Sequence, residues 1–245
     1  MKNLSLPVTL LLLAAPGLRA EEAGAILARV DRNLSARTRV VESTMTIHGR
    51  RGSRTLTAKS YAEGTRKAFT EYLSPAADEG TKMLKLSGQM WIYSPASDRI
   101  LIISGHLLRQ SVMGSDLSYE DLMDDRKLEE IYTGRVTGEE EIAGRPAWVL
   151  ELTAKVTDAA YPRQKLWIDR ERDVPLRQEL YAKSGKQLKE VTFTEVQRVA
   201  GRWYPMKMLY KDLFKQGQGT EVIIHKIAFD QVIPDWIFSK AALKR

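Results

Sequence analysis

Apolar residues recur at Ala23, Ile26, Leu27, Val30 and Leu34. That is the spacing of one helix face, and it predicts an amphipathic helix over Glu22–Ser35. Glu21 and Glu22 stand at its start, and Arg29, Arg32 and Arg37 toward its end, as the helix dipole favours. The period then changes to two: Val41, Met45 and Ile47 alternate with Glu42, Thr44, Thr46 and His48. Past a turn at Gly49–Gly52, Leu56 and Ala58 continue on a second strand. Further strands are expected at Lys67–Leu73, Met83–Leu86, Met90–Tyr93, Ile100–Ile103, Ile131–Glu139, Ala147–Ala154, Gln164–Asp169, Leu176–Ala182, Leu188–Val199, Trp203–Tyr210 and Glu221–Phe229. Glu63-Gly64, Ser87-Gly88, Ala143-Gly144, Ser184-Gly185 and Ala200-Gly201 punctuate them as turns. Between Arg109 and Lys127 the alternation stops. There Ser118, with Asp121 three residues on, has the spacing of a helix cap and predicts a short helix over Tyr119–Asp124.

This pattern describes a mainly β chain of about 11–12 strands in an antiparallel meander, forming one domain. A sheet that long must hide one face and manage its edges. Curling into a half-open antiparallel β-barrel does both. The N-terminal helix and the short helix near Asp121 are then natural covers for the concave side, and together they enclose an apolar cavity.

Residues 1–20 read differently. Lys2 precedes an apolar run from Leu4 to Ala15, and the helix-breaking pair Pro16-Gly17 leads into Leu18-Arg19-Ala20. A positive start, a short apolar stretch and a small residue at the cut predict a cleaved signal peptide, leaving residues 21–245 as the domain. The run falls short of the ~20 apolar residues that span a bilayer. The chain of 245 residues has no cysteine. Disulfide frameworks, thiolate catalysis, Cys-based zinc and iron–sulfur sites are therefore excluded, as is a lipid anchor on an N-terminal cysteine. The expected product is exported, periplasmic, soluble and not lipidated. Its net charge of +7 becomes +5 without Lys2 and Arg19. That excess suits anionic headgroups, an acidic partner or transient membrane contact better than nucleic acid.

Catalytic patterns are missing. His48, His106 and His225 are far apart, with no HExxH pair and no zinc spacing. Gly217-Gln218-Gly219 lacks the third glycine of a dinucleotide fingerprint, and there is neither a P-loop nor a GxSxG elbow. Acids cluster at Glu120, Asp121, Asp124 and Asp125 and at Glu139–Glu141. Adjacent acids on a short helix and a turn read as solvated surface, not as two carboxylates facing across a glycosidase cleft. Trp91, Trp148, Trp167 and Trp203 read as cross-strand packing. No enzymatic activity, metal or cofactor is expected.

The stretch Gln110–Leu122 (QSVMGSDLSYEDL) resembles the most characteristic segment of the outer-membrane lipoprotein-sorting family. These are LolA-like periplasmic proteins, including a branch found alongside RND-type (MMPL-like) exporters. Pro75, Gly80-Thr81, Leu84 and Trp91-Ile92-Tyr93-Ser94-Pro95 match that branch upstream, and Gly138–Pro146, Leu166–Asp169 and Ile233–Ser239 fit downstream. The resemblance covers nearly all of the chain after Ala20. It implies a LolA/LolB-like half-open barrel closed by helices. It also implies a carrier that shelters the acyl chains of a lipoprotein or other lipid between envelope membranes, with an RND/MMPL-type inner-membrane exporter as partner. A soluble shuttle of this kind is most simply a monomer.

Sheltering an acyl chain is worth about 0.8 kcal/mol per buried CH₂, and flexible methionines suit variable chains. The expected cavity lining is Met45, Ile47, Leu56, Phe69, Met90, Ile92, Trp148, Leu150, Ile168, Met206 and Met208. Arg50, Arg51 and Arg54 form a candidate headgroup or partner patch at a hairpin. Plain core packing is the competing reading of every apolar position. A filled core would instead suit a non-carrier periplasmic adaptor of an envelope transport complex. An enzyme acting on envelope lipid or glycan would need converging acids or a Ser/His set, which the sequence does not display.

Overall fold

The computed structural model describes residues 16–123 and 126–245, with side chains from Ala23 onward. Helix α1 (Pro16–Leu34) leads into β1 (Thr38–Gly49), β2 (Gly52–Glu63), β3 (Lys67–Ser74), β4 (Lys82–Leu86), β5 (Gln89–Ser94) and β6 (Arg99–Ile103). A long connection follows, carrying 3₁₀ turns at Gly105–Arg109 and Val112–Gly114 and the short helices α2 (Tyr119–Met123) and α3 (Leu128–Ile131). The chain then returns to strands: β7 (Tyr132–Ile142), β8 (Arg145–Ala154), β9 (Arg163–Asp169), β10 (Pro175–Tyr181), β11 (Gln187–Val199), β12 (Arg202–Asp212) and β13 (Gly219–Phe229). Two further 3₁₀ turns, Asp235–Phe238 and Lys240–Lys244, complete it.

Every segment expected as a strand is one, thirteen against the 11–12 expected in all, and α2 begins where the cap at Ser118 places it. Ser118 Oγ accepts from the Asp121 N–H at 3.3 Å, while its own N–H and hydroxyl donate to Asp121 Oδ2 at 2.6 and 2.9 Å. Helix α1 starts at Pro16, six residues before the expected start. Proline breaks a helix in its interior, but at the first turn its missing N–H leaves no bond unmade, and Pro16 sits there. The expected leader lies mostly on residues 1–15, outside the described residues, as do Asp124 and Asp125.

The thirteen strands form one antiparallel sheet in the order β6-β5-β4-β3-β2-β1-β13-β12-β11-β10-β9-β8-β7. This is not a simple meander. Two meanders run in opposite directions and join where β1 pairs with β13, Val41 opposite Ile227 and Met45 opposite Val222. β6 and β7, consecutive in the chain, are the two unpaired edges of the sheet. The sheet is a half-open barrel, and residues 104–131 must cross its opening from one edge to the other. The helical lid follows from that requirement.

Helix α1 covers the concave face at the β7 end. Its Ala23, Ile26, Leu27 and Val30 are fully buried against Val136, Leu150, Leu152, Leu166 and Ile168. Asn33 donates to the carbonyls of Arg172 and Asp173 at 2.8 and 3.0 Å, and Arg29 pairs with Asp173 at 2.9 Å. Asp31 accepts the Leu128 and Glu129 N–H groups at 2.9 and 3.1 Å, so α1 caps α3 from outside it. Gly134 on β7 lets the helix come close: a Cβ there would lie 2.6 Å from Leu152 Cδ2 and 3.6 Å from Ala23 Cβ. Leu152 is itself fully buried and has little room to yield. Gly134→Val is expected to cost about 1–3 kcal/mol by overpacking, read as a lower urea midpoint with unchanged slope.

The other face has its own core. Ile233, Ile237, Phe238, Ala242 and Leu243 from the last 3₁₀ turns pack on Phe69, Leu84 and Trp91 of β3–β5. Lys82 Nζ donates to the carbonyl of Arg245 there.

Candidate functional site

The lid does not fill the whole concave face. Between α2 and the sheet lies a cavity of about 310 Å³ lined by Val41, Ala62, Ala68, Met83, Met90, Leu122, Tyr204 and Tyr210. A second, of about 220 Å³, adjoins it through Asp121, Leu122 and Tyr210 and extends along Leu128, Ile131, Leu180 and Val191. A third, of about 660 Å³, opens between α1, α3 and the sheet, with Leu34, Leu166 and Phe193 on its walls and Arg37, Arg39 and Arg202 at its margin. All three reach Tyr210. The first and third fall in the ~300–1,000 Å³ range of small-molecule sites.

Polar groups at the floor of this trough hold the lid. Lys189 on β11, buried, pairs with Asp121 of α2 and donates to Ser118 Oγ at 3.3 Å. The Tyr161 hydroxyl donates to Asp121 Oδ1. Burial pushes the Tyr161 phenol up, and the Asp121 carboxylate pushes it further, so it stays a neutral donor. Lys85 on β4, also buried, donates to the Met123 carbonyl at 2.6 Å and takes up the last turn of α2. Upstream, Asp116 accepts from the Thr220 hydroxyl at 2.6 Å and from the Asp212 N–H at 3.0 Å. The lid is therefore tied to β4, β11, β12 and β13. Nearby, Gln178 donates to Gln164, Gln164 to the Tyr132 hydroxyl, and that hydroxyl to the Tyr161 carbonyl.

The expected lining residues separate into groups. Met90, 2% exposed, lines the first cavity. Met206 and Met208 share a strand face with Tyr204 and Tyr210 and pack near Ile224 and Val191. Met45, Ile47, Leu56 and Ile92 come together, but under Val112, Leu117 and Tyr119 of the lid, as packed core. Trp148, Leu150 and Ile168 are covered by α1. Phe69 does not face the trough: alternation on β3 turns it to the outer face, against Ile237 and Phe238. Of the hairpin arginines, Arg50 and Arg51 are exposed at the tip, while Arg54 pairs with Asp78.

One acid reads differently from its sequence context. Asp121 was expected on a solvated surface, yet its side chain is 11% exposed and faces inward onto Lys189. Residue type gave no signal here, because an acid on a one-turn helix looks the same on either side. Position did: in the cap that fixes Ser118, the third residue turns back toward the chain. Lys85 and Lys189 were missed because each is a cation on a strand, which reads as an outward position.

Among the described residues, no group of three His, Asp or Glu side chains could hold a metal, and no helix is long and apolar enough to cross a membrane. His48 bonds Ser53 and His225 bonds Thr44, both on exposed strand surface.

An open antiparallel sheet curled under helices is the fold of LolA-superfamily proteins. The chain is similar to a LolA-superfamily protein from Nitrosomonas europaea, with a TM-score of 0.73 and 20% identity over 90% of this chain and 98% of that one. It is similar to an outer membrane lipoprotein-sorting protein domain from Vibrio parahaemolyticus (TM-score 0.81, 25% identity, 92% and 100% covered). It is also similar to a DUF1329 family protein from Desulfovibrio piger (TM-score 0.84, 25% identity, 92% and 99% covered). A family model described as an uncharacterized protein matches residues 64–245. The chain belongs to that family, and its fold is that of the LolA-superfamily structures. No curated protein matches it.

Proposed function

We propose that the protein is a periplasmic carrier, not an enzyme, that shelters acyl chains of a lipoprotein or other lipid and passes them between envelope membranes. On this reading residues 1–20 are removed on export, residues 21–245 act as a single unlipidated domain and a monomer, and no cofactor takes part. A membrane exporter of the RND/MMPL type is the proposed partner. The observation that carries the reading is the linked set of cavities under a lid tied down by a few polar contacts. The lining is redrawn around Met90, Leu122, Tyr204 and Tyr210, with Met206 and Met208 beside it. Lipid mass spectrometry on protein purified without detergent from its host periplasm is expected to show a stoichiometric acylated ligand.

The first cavity offers a direct variant. Ala62 and Ala68 are small residues on its wall, so Ala62→Trp is expected to occupy the space and reduce uptake of a fluorescent fatty acid by at least about tenfold, each excluded CH₂ being worth about 0.8 kcal/mol. Uptake equal to the parent would exclude this cavity as the binding site. Leu150→Asp is not a usable probe, because Leu150 is fully buried under α1 and a carboxylate there would unfold the protein.

A second reading has an observation of its own. Most of the concave face is already filled by α1 and the lid, as an adaptor without cargo would have it. A ligand-free protein that also ignores acyl probes would favour that reading.

A further inference from the structure

The end of the barrel opposite the lid's junction with β6 brings three turns together: β1–β2, β10–β11 and β12–β13. Its most exposed apolar residues are Leu213 and Phe214, at 46% and 58%. Their loop is firmly built. The Leu213 N–H donates to the Leu188 carbonyl at 3.0 Å and the Phe214 N–H to Asp212 Oδ1 at 2.9 Å. Lys211 Nζ bonds the carbonyls of Lys215 and Gly217, each at 2.8 Å, and Lys215 Nζ reaches Ser111 and the Ser115 carbonyl. The two apolar side chains are thus held in water by their surroundings. Held there, the two form a small exposed apolar patch.

Cations surround them. Lys186 Nζ lies 4.2 Å from the Phe214 ring centroid, and Lys183 is exposed on the same β10–β11 turn. The Gln218 N–H donates to the His48 carbonyl at 2.9 Å, which sets the exposed Arg50 and Arg51 beside the loop. The approach is so close that a Cβ on Gly217 would meet His48 O at 2.4 Å. Of the nearby carboxylates, Asp212 accepts the Phe214 N–H, Asp116 accepts from Thr220 and the Asp212 N–H, and Glu120 lines the adjoining cavity. Phe214 and Lys183 also line the mouth of a cavity of about 480 Å³ that runs in toward Ser118 and Lys189.

We propose that this rim docks on an anionic lipid bilayer, Leu213 and Phe214 entering the headgroup layer and Arg50, Arg51, Lys183 and Lys186 meeting lipid phosphates. Two adjacent exposed apolar side chains with long flexible cations on the neighbouring turns fit a fluid anionic interface. Docked so, the cavity mouth faces the bilayer from which an acyl cargo would come. This deepens the carrier reading and rests on it for its purpose, but the surface can be tested separately.

The test is co-sedimentation of the purified protein with phosphatidylcholine vesicles, with and without phosphatidylglycerol, beside uptake of cis-parinaric acid from solution. Binding is expected only with phosphatidylglycerol and should weaken as salt screens the charges. Lys186→Gln should weaken it about fivefold, at roughly one cation's contribution near a charged surface, and Leu213→Asp by about tenfold or more. Neither residue lines a cavity, so both variants should still take up the probe. Equal binding to both vesicle types, or variants that bind as the parent does, would overturn the proposal. A parent that ignores vesicles altogether would overturn it too and redirect the rim to an acidic protein. Vesicle binding without probe uptake by the parent would retain the surface and defeat the carrier reading.

Discussion

Asp121→Ala is expected to destabilise the protein by about 3–5 kcal/mol, the usual cost of removing one partner of a buried ion pair. Four groups lose their acceptor together: the Lys189 ammonium, the Tyr161 hydroxyl, and the N–H and hydroxyl of Ser118 at the start of α2. Lys189 and Ser118 are themselves buried, so water does not readily replace the carboxylate. Asp121→Asn, which keeps an acceptor oxygen but no charge, should fall between variant and parent. The loss should appear locally as well as globally. With Asp121 gone, α2 keeps the Lys85 bond to the Met123 carbonyl, but its tie to β11 is reduced to the Lys189 bond to Ser118 Oγ. Backbone amides of residues 117–123 should then exchange with solvent faster than those of β8 and β9. If urea unfolding of Asp121→Ala matches the parent, the pair does not hold the lid.

Asp169→Ala is expected to cost about 3 kcal/mol by the same mechanism in a different place. The Asp169 side chain is fully buried at the end of β9. It accepts from the Arg145 guanidinium, including Nη2 at 3.1 Å, and from the Glu171 and Arg172 N–H groups at 2.9 and 3.1 Å. It therefore closes the β9–β10 turn on which α1 rests through Asn33. Burial alone would raise its pKa, but Arg145 and the two backbone donors outweigh burial and hold the carboxyl below its ordinary value. A folded-state pKa below the unfolded one adds stability that is present above about pH 4 and is lost as pH falls through the folded value. Below about pH 4 the parent should lose stability more steeply than Asp169→Asn, which has nothing to protonate there. Parallel acid-unfolding curves would show that the Arg145–Asp169 pair contributes no such linkage.

Local pattern carried the elements well. The 3.6-residue spacing from Ala23 to Leu34 found the buried face of α1, and the Ser118–Asp121 pair found the start of α2. Non-local pairing was not legible. Nothing within β1 or β13 announces that they meet across most of the chain, so two meanders looked like one. Phe69 shows a second limit. Period-two alternation assigns residues to two faces but cannot say which is inward when both are covered, and the Ile233–Leu243 segment buries the outer face of β3. Met45 and Leu56 show a third: an apolar wall has the same sequence under a lid as under a lipid, and here the lid covers it.

The pairing of β1 with β13 also shapes how the molecule can be made. Strand residues 38–49 sit at the middle of the sheet, yet their neighbour on one side is the last strand of the chain. Contacts of such sequence separation form late and slowly, because loop closure must precede any gain from them. During synthesis the arm from β1 to β6 is left with an open edge at β1 until residues 219–229 have emerged. The complete sheet is thus a property of the finished polypeptide, and the nascent chain spends its synthesis without it. For a chain proposed to be threaded across a membrane before it folds, that delay would keep it in the unfolded form that export requires.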